Sequence, residues 1–392
     1  MVTVQQTFRS NFNGYIILRN EPLPPKCCFS TFYISKLVPE CLRGPVPIIT
    51  YLILYLYNMK LVTYLKNGHD QLAVLYDHYL YDMETLHPDM PGTMSMFLNY
   101  WEDAYPAALA GEEVIKNGRI SHVRATPLEN AIILAPVPTP TSCRDGYAFR
   151  QHVESARRNR GAAMIPEFDQ YPIFYFTNHL TVQGPGEVVC MPDHFEKLDF
   201  ELEAAIVICK QGRNIRAEEA DQYIGGLMIM NDLSARRLQM EEMLLNLGPA
   251  KGKDFATALG PWLVTLDELE SFEIPAKPGH IGKSWNLNMT CHVNGIQVSQ
   301  GNLGEMDWTF AEIIERASYG VTLYPGDVIG SGTVGTGCFL ELNGTGKLND
   351  PNFREQWLKE NDTVTLEIDS LGILENTIVR DEDDFSILAR KK

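Results

Sequence analysis

Residues 198–206 read LDFELEAAI, and this alternating stretch does more than any other to decide the fold prediction. As a β-strand it would place the carboxylates of Asp199, Glu201 and Glu203 on one face and apolar side chains on the other. Carboxylates on one strand face lie about 7 Å apart, and they repel one another unless water or a cation compensates their charge. The stretch indicates either a solvated outer strand or one wall of a metal site. Taken alone, it favours the solvated strand.

The composition is that of a globular protein of 392 residues, with 45% hydrophobic and 21% charged residues. A formal net charge of −17 argues against nucleic acid as a partner, because its phosphates would be repelled. The eight cysteines form no CxxC pair, which argues against zinc ribbons and disulfide scaffolds. We therefore expect a reducing, cytoplasmic location.

The first 58 residues differ from the rest, because they carry five basic and two acidic side chains. Their apolar stretch, residues 48–57, is shorter than the roughly 17 to 25 residues that cross a bilayer, so no membrane association is expected. Met59 opens MKLVTYL, which is typical of a cytosolic N-terminus. Residues 1–58 are thus predicted to lie outside the fold, as the product of a misassigned start. A targeting extension and a membrane-surface segment are the alternatives.

The pattern of turns and apolar runs predicts two domains. Residues 59–137 read as a small, mostly β N-terminal domain with a hairpin turn at Asn67 and Gly68 and a helix over residues 94–116. Prolines within residues 131–142 indicate an extended connector. Residues 138–392 show short strands separated by turns and occasional helices. This organisation predicts an α+β, β-rich fold rather than a doubly wound sheet.

Three further segments carry candidate functional groups. Residues 144–160 predict a helix that is capped near Asp145 and has Asp145 and His152 on one face. Asp232 follows the apolar strand GLMIM, where a new helix begins. The stretch FLELNG, residues 339–344, predicts a strand with Glu341 pointing inward.

Oxygen ligands on several element ends indicate a hard divalent cation. Helix capping explains Asp145 and Asp232 separately. Together with the acidic strand they match the oxygen donors that Mg²⁺, Mn²⁺ or Ca²⁺ requires, whereas zinc fits poorly. The glycine-rich segment GSGTVGTG, residues 330–337, lacks the lysine of a phosphate-binding loop, so nucleotide binding is rejected.

Several motifs occur in the order found in the fumarylacetoacetate hydrolase superfamily. They are RDGYAFRQHV, LDFELEAAIVI, IMNDLSARRLQ, LGPAKGKDFATALGPWLV, PGDVIGSGT and FLEL. The chain resembles that superfamily, and in particular fumarylacetoacetase and bacterial acylpyruvate-type hydrolases, over about residues 140–375. The resemblance implies a mixed β-sandwich roll as catalytic domain, a bound divalent cation, a small anionic diketo-acid substrate and a homodimer.

The resemblance also implies a role for each matching residue. The implied metal ligands are Asp145, Glu201, Glu203 and Asp232. Asp199 then becomes a neighbour at the rim of the strand. The implied catalytic residues are the general base His152, its orienting partner Glu341, and the oxyanion-stabilising Arg236, Gln239 and Lys253. The implied substrate contacts are Tyr147, Tyr175, Gln239 and Thr333. Lys253 and Thr257 also match a second, Mg²⁺-associated loop. We expect one or more of Arg157, Arg158 and Arg160 to bind the terminal carboxylate of the substrate.

The resulting main hypothesis is a hydrolase that cleaves a C–C bond in a β-diketo acid, such as fumarylacetoacetate or an acylpyruvate. His152 would take a proton from the attacking water while the cation stabilises the departing enolate. A decarboxylase or isomerase of 2-oxo acids from the same superfamily is the first alternative, because it shares the metal. An inactive, metal-stabilised binding protein is the second.

Overall fold

A computed structural model of the chain describes residues 59–391. The predictions for residues 1–58 lie outside the described residues. Within the described range, none of the helices has the length and apolar character needed to cross a bilayer.

A twelve-stranded mixed sheet forms the centre of the structure, and its main path runs β4-β3-β2-β1-β15-β13-β11-β21-β6-β7. Its strands are β1 (Lys60–Lys66), β2 (His69–Tyr76), β3 (Tyr79–Asp82), β4 (Thr126–Pro127), β5 (Ile132–Ile133), β6 (Ser142–Gly146), β7 (Phe174–Thr177), β8 (Val182–Gln183), β11 (Leu202–Ile208), β13 (Ile224–Asn231), β15 (Thr257–Val264) and β21 (Asp327–Gly330). The pairs β21–β6 and β15–β8 are parallel and the other pairs are antiparallel.

A second, five-stranded sheet packs against the first one. Its order is β19-β18-β22-β23-β9. The strands are β9 (Gly186–Cys190), β18 (Asn288–Val293), β19 (Ile296–Asn302), β22 (Thr363–Ile368) and β23 (Gly372–Arg380). Ile206 and Leu227 of the large sheet share one buried core with Leu366 and Leu374 of the second. The predicted β-rich sandwich is thereby confirmed.

Short strand pairs and helices complete the fold. The remaining strands are β10 (Leu198–Asp199), β12 (Gly212–Arg213), β14 (Ser234–Ala235), β16 (Glu273–Pro275), β17 (Lys283–Trp285) and β20 (Thr322–Leu323). The helices are α1 (Met83–Leu86), α2 (Met94–Asn99), α3 (Trp101–Lys116), α4 (Arg150–Arg158), α5 (Ala217–Ala220), α6 (Arg236–Met243), α7 (Phe310–Ser318) and α8 (Phe339–Asn349).

The N-terminal segment shares the large sheet with the rest of the described chain. Strand β1 pairs with β15, and Phe97 of α2 packs with Met228 and Leu263 in a second core on the outer face of this sheet. The hairpin turn at Asn67 and Gly68 is confirmed, because both residues have positive φ. Whether residues 59–137 fold independently stays a prediction.

Two predicted elements near the candidate site are wrong. Residues 142–146 form strand β6 between β21 and β7, so Asp145 lies on a strand and helix α4 begins only at Arg150. Residues 339–349 form helix α8 rather than a strand. In both cases contacts with residues distant in sequence outweigh the local pattern.

Candidate active site

Four strand ends meet at one edge of the large sheet and bring the predicted metal ligands together. Leu202 at the start of β11 pairs with Asn231 at the end of β13. At the same edge, Asp145 of β6 pairs with Gly330 at the end of β21. In an antiparallel pair the start of one strand lies beside the end of the other, so β11 begins where β13 and β21 end. Carboxylates distant in sequence therefore converge at this edge.

The four carboxylates form one buried cluster. Oxygen atoms of Asp145, Glu201, Glu203 and Asp232 all lie within 4.8 Å of one another. Gly330 leaves the space that they occupy, because a Cβ atom there would lie 2.5 Å from Oδ1 of Asp145 and 3.1 Å from Oε2 of Glu203. The absence of a side chain at residue 330 is therefore a condition for the cluster.

The cluster fits a hard divalent cation. Oε2 of Glu203 and Oδ1 of Asp232 are buried and accept no hydrogen bond from any residue in the range 59–391. Buried acceptors are rarely left without a partner, and carboxylate oxygens are the ligands that Mg²⁺, Mn²⁺ and Ca²⁺ prefer. The unused oxygen atoms thus indicate which ligand atoms a cation would contact.

Two buried cations compensate part of the negative charge. Nζ of Lys253 donates to Oδ2 of Asp232 at 2.6 Å and also to Oε2 of Glu201. Arg236 donates from NH2 to Oε1 of Glu201 at 2.7 Å and from Nε to Oδ2 of Asp199 at 2.8 Å. The five carboxylates named for this region outnumber Lys253 and Arg236, so negative charge remains that a divalent ion would compensate.

The titration of the cluster reflects its crowding. Burial, followed by the charge of Asp232, raises the pKa of Asp145 to about 7. Burial and the neighbouring Asp145 raise the pKa of Glu203 well above its usual value. Burial alone would raise the pKa of Glu201, but the charges of Arg236 and Lys253 outweigh burial and lower it. Without a cation, the Asp145–Glu203 side of the cluster therefore retains protons near neutral pH.

His152 and Glu341 form a buried pair beside this cluster. Nδ1 of His152, on α4, lies 2.8 Å from Oε2 of Glu341, on α8. A carboxylate can only accept, so this contact places the imidazole proton on Nδ1 and leaves Nε2 as the basic nitrogen. One imidazole nitrogen lies within 4.8 Å of a Glu201 oxygen and of the Cys338 sulfur. The proton acceptor His152 thus lies next to the candidate cation site.

A cavity of about 770 Å³ opens onto these groups. Its lining includes the predicted residues Asp145, Tyr147, His152, Arg157, Arg160, Tyr175, Glu201, Arg236, Gln239, Lys253 and Thr333. The Tyr147 ring packs edge to face on His152, with ring centroids 5.9 Å apart. A pocket of this size accommodates a substrate larger than a four-carbon acid.

The remaining predicted residues differ in their contacts. The hydroxyl of Tyr175 donates to Oδ2 of Asp232 at 2.5 Å, and that of Thr333 donates to Oε1 of Glu203 at 3.2 Å, so both contact proposed metal ligands. Arg158 lies outside the cavity lining formed by residues 59–391, and its NH2 donates to Thr345 at 3.0 Å. The buried hydroxyl of Thr257 has no hydrogen-bond partner among the described residues.

Sequence reasoning missed two features of the site. Asp199, placed at the rim of the strand, is fully buried, so that placement is wrong; it is no member of the four-carboxylate cluster. Lys197 and Lys347 line the mouth of the cavity, with Glu355 between them.

Comparisons with known proteins agree with this geometry. Residues 141–379 match the family described as "Fumarylacetoacetate (FAA) hydrolase C-terminal". The chain is 30% identical over 334 residues to a mitochondrial oxaloacetate tautomerase of Rattus norvegicus, which covers 82% of this chain and 92% of the relative. It is also 30% identical to the mitochondrial oxaloacetate tautomerase of Homo sapiens, over 76% of this chain and 83% of the relative.

A solved structure shows the same fold. The fumarylacetoacetate hydrolase of Exiguobacterium antarcticum superposes with a TM-score of 0.59 at 21% identity, covering 82% of this chain and all of that chain. The match in sequence spans more than half of the chain and includes every carboxylate of the cluster. This protein is a member of the fumarylacetoacetate hydrolase family.

Proposed function

We propose that the protein is a divalent-cation-dependent enzyme that interconverts the enol and keto forms of a small 2-oxo dicarboxylic acid of the oxaloacetate type. The observation that carries the proposal is the position of His152, whose imidazole lies within 4.8 Å of Glu201 in the carboxylate cluster. Tautomerisation needs a proton carrier next to a group that stabilises oxyanion charge. The cavity has His152 as the proton carrier, and Arg236 and Lys253 as cationic groups beside it. The tautomerases at 30% identity support this reaction over others of the family.

The residues of the chain supply the proton transfer. Glu341 orients the His152 ring, so the basic Nε2 can take the proton from the carbon next to the carbonyl of the keto form and deliver it to the carbonyl oxygen, which gives the enol. The reverse transfer, from the enol O–H to that carbon, gives the keto form. Tyr147 packs edge to face on the same ring and restricts its rotation. The imidazole is therefore the proton carrier in this proposal.

The charged groups of the cavity bind and polarise the substrate. Asp145, Glu201, Glu203 and Asp232 would hold a Mg²⁺ or Mn²⁺ ion, which when bound acts as a Lewis acid on the carbonyl oxygen. Arg236 and Gln239 are linked by a 3.0 Å hydrogen bond and face the cavity together with Lys253. These donors favour a substrate oxygen that gains negative charge in the transition state.

Hydrolysis of a C–C bond in a β-diketo acid is the second candidate. A cavity of about 770 Å³ exceeds the needs of a four-carbon acid and favours a larger substrate. The pair of His152 and Glu341 is also suited to taking a proton from water. The two reactions share the cation, the base and the oxyanion donors, and they differ in whether water attacks the carbonyl carbon.

Location and assembly complete the proposal. The relatives named above are mitochondrial proteins, which supports a mitochondrial location over the cytoplasmic one expected from composition. A homodimer, implied by the family resemblance, is proposed for the protein in solution. Light scattering of the purified protein tests the dimer.

A substrate panel tests the reaction. The protein, loaded with Mg²⁺ or Mn²⁺, is mixed separately with the enol form of oxaloacetate, with acylpyruvates and with fumarylacetoacetate, and the products are identified by NMR. We expect faster enol-to-keto conversion of oxaloacetate without loss of carbon, and its abolition in His152→Ala. Cleavage of the acylpyruvates without tautomerase activity would replace the first candidate by the second. Release of CO₂ from oxaloacetate as the main reaction would contradict both.

A further inference from the structure

Asp199 is a fully buried carboxylate at which two halves of the active site meet. Its Oδ1 accepts the backbone N–H groups of Phe339 at 2.7 Å and Phe200 at 3.0 Å. Its Oδ2 accepts the N–H of Leu340 at 2.9 Å and Nε of Arg236 at 2.8 Å. Both carboxylate oxygens are therefore occupied by protein donors, and neither is directed into the cavity.

The first half of the site is the start of helix α8. Cys338 stands at the N-cap position but makes no side-chain capping bond, so the first N–H groups of α8 depend on Asp199. Glu341 lies in the first turn of this helix, one residue after Leu340. Since the first turn of a helix frays readily when its N–H groups lack acceptors, Asp199 fixes the position of Glu341 and, through it, of His152.

The second half is the guanidinium of Arg236. Asp199 accepts its Nε, which leaves NH2 for Glu201 at 2.7 Å and NH1 for Gln239 at 3.0 Å. The planar guanidinium has a fixed geometry, so a carboxylate on Nε sets the direction of the other two donors. Asp199 thus orients one group of the cavity floor at the same time as it holds the helix that carries Glu341.

We propose that Asp199 is a positioning residue that fixes the His152–Glu341 pair relative to Arg236. The inference rests on the proposed function only for the choice of substrate in the assay. A purely structural role would be that of a helix cap that stabilises the fold and leaves the rate of chemistry unchanged in the folded protein.

Asp193 offers a matched control. It is also buried, and its carboxylate accepts the Ser386 hydroxyl at 2.6 Å and the N–H groups of Ile387 at 2.7 Å and Leu388 at 3.0 Å. It therefore caps a short helical turn, Leu388–Arg390, as Asp199 caps α8. It does not line the cavity described above. Both Asp193→Asn and Asp199→Asn remove carboxylate acceptors of helical N–H groups, but only Asp199 also contacts Arg236 and the helix that carries Glu341.

Steady-state kinetics give the first test. Asp199→Asn places an amide NH₂ group toward donors, and we expect kcat to fall about 10- to 100-fold with KM little changed. Asp193→Asn should lower the Tm but leave kcat of the folded protein unchanged. Wild-type kcat in folded Asp199→Asn would overturn the proposal.

A double-mutant cycle separates positioning from a general loss of structure. If Asp199 acts through Glu341, Asp199→Asn should lower kcat by a smaller factor in the Glu341→Gln background than in wild type, because only its effect on Arg236 remains there. Independent, multiplicative effects on kcat would overturn the proposal.

Proton NMR gives a readout that needs no substrate. The Nδ1 proton of His152, held by Glu341, should give a downfield signal that Glu341→Gln removes. We expect Asp199→Asn to shift or broaden this signal and Asp193→Asn to leave it unchanged. An unchanged signal in Asp199→Asn contradicts the proposal even when the substrate panel fails, so the two failures are distinguishable.

A second variant covers the case in which Asp199→Asn does not fold. Adding Cys338→Ser supplies a hydroxyl at the N-cap of α8, which can accept a backbone N–H of the first turn. This double variant should fold and recover the downfield signal of His152. A folded double variant in which the downfield signal of His152 stays lost would overturn the proposal.

Discussion

Oε2 of Glu341 is shared between Nδ1 of His152 at 2.8 Å and the backbone N–H of Thr336 at 3.0 Å. Thr336 belongs to the glycine-rich segment 330–337, which also donates the N–H of Gly332 to Oδ1 of Asp145 at 3.1 Å. The loop that lacks a phosphate-binding lysine thus contacts both the proton carrier and the carboxylate cluster. Gly330 and Gly335 of this segment leave space for the side chains of Asp145 and Gln151, and Gly332 leaves space for the backbone of Gly146.

The His152–Glu341 pair should be required for turnover but not for cation binding. We expect His152→Ala to lower kcat about 10²- to 10⁴-fold, the usual contribution of general acid–base catalysis. Glu341→Gln should lower kcat less, because the imidazole remains while its orientation is lost. Kinetics and metal analysis of the same samples check both variants. Loss of the cation in His152→Ala would show that His152 is a ligand instead.

Gly330 should be indispensable for the cation site. Gly330→Ala places a methyl group 2.5 Å from Oδ1 of Asp145, so we expect loss of cation-induced stabilisation and of activity. Gly92→Ala is the control, since the new Cβ atom would lie 3.3 Å from Oε1 of Glu84, at the end of a flexible side chain. Thermal unfolding with and without Mn²⁺ measures the effect. An equal Tm increase in Gly330→Ala and wild type would exclude a cation at this cluster.

The metal-free protein should become less stable as the pH rises. The pKa of Asp145 is raised by burial from 3.8 to about 7 in the folded state, so the folded protein binds the proton more tightly than the unfolded chain. The resulting stabilisation is complete below about pH 4 and is lost as the pH passes through 7. Asp145→Asn should remove this contribution, and saturating Mn²⁺ should oppose the loss in wild type.

Thermal unfolding between pH 4 and pH 8 in the presence of EDTA compares the two proteins. The difference in Tm between Asp145→Asn and wild type should grow with pH. A difference that is constant over this range would contradict the raised pKa.

The arginines of helix α4 should differ in their effect on substrate binding. Arg157 lines the cavity, whereas Arg158 lies beside Thr345. We expect Arg157→Ala to raise KM for a dicarboxylic substrate about tenfold, as for the loss of one charge-assisted hydrogen bond, with kcat little changed. Arg158→Ala should leave KM unchanged. Equal KM values for the two variants would exclude Arg157 from substrate binding.

The sequence was sufficient to predict which charged residues lie together in the candidate site. The order of the motifs identified the four carboxylates, His152 and Glu341, and the structure brings all of them together. The alternating stretch at residues 198–206 was predicted as one strand, and taken alone as a solvated one; the structure has two buried strands, β10 and β11, separated by Phe200 and Glu201. The residues of a family motif can be recognised in the sequence even when the strands and helices on which they lie are not known.

The elements themselves were harder to predict, for a physical reason. Asp145 was assigned to a helix and Glu341 to a strand, and the structure has them on β6 and α8. Strand β6 depends on its pairing with β21, and α8 depends on the capping by Asp199, 140 residues before Phe339. Local periodicity contains no information about such distant contacts. The same limit concealed the burial of Asp199.

Rapid measurement of enol-to-keto conversion of oxaloacetate tests the central claim most directly. Wild type is assayed after EDTA treatment and again after readdition of Mg²⁺ or Mn²⁺. The Glu203→Gln variant is assayed after the same treatment and readdition. We predict that conversion is lost with EDTA, returns with the cation in wild type, and does not return in Glu203→Gln. Conversion that is unaffected by EDTA, or that is restored equally in Glu203→Gln, would contradict a cation-dependent reaction at the Asp145–Glu201–Glu203–Asp232 cluster.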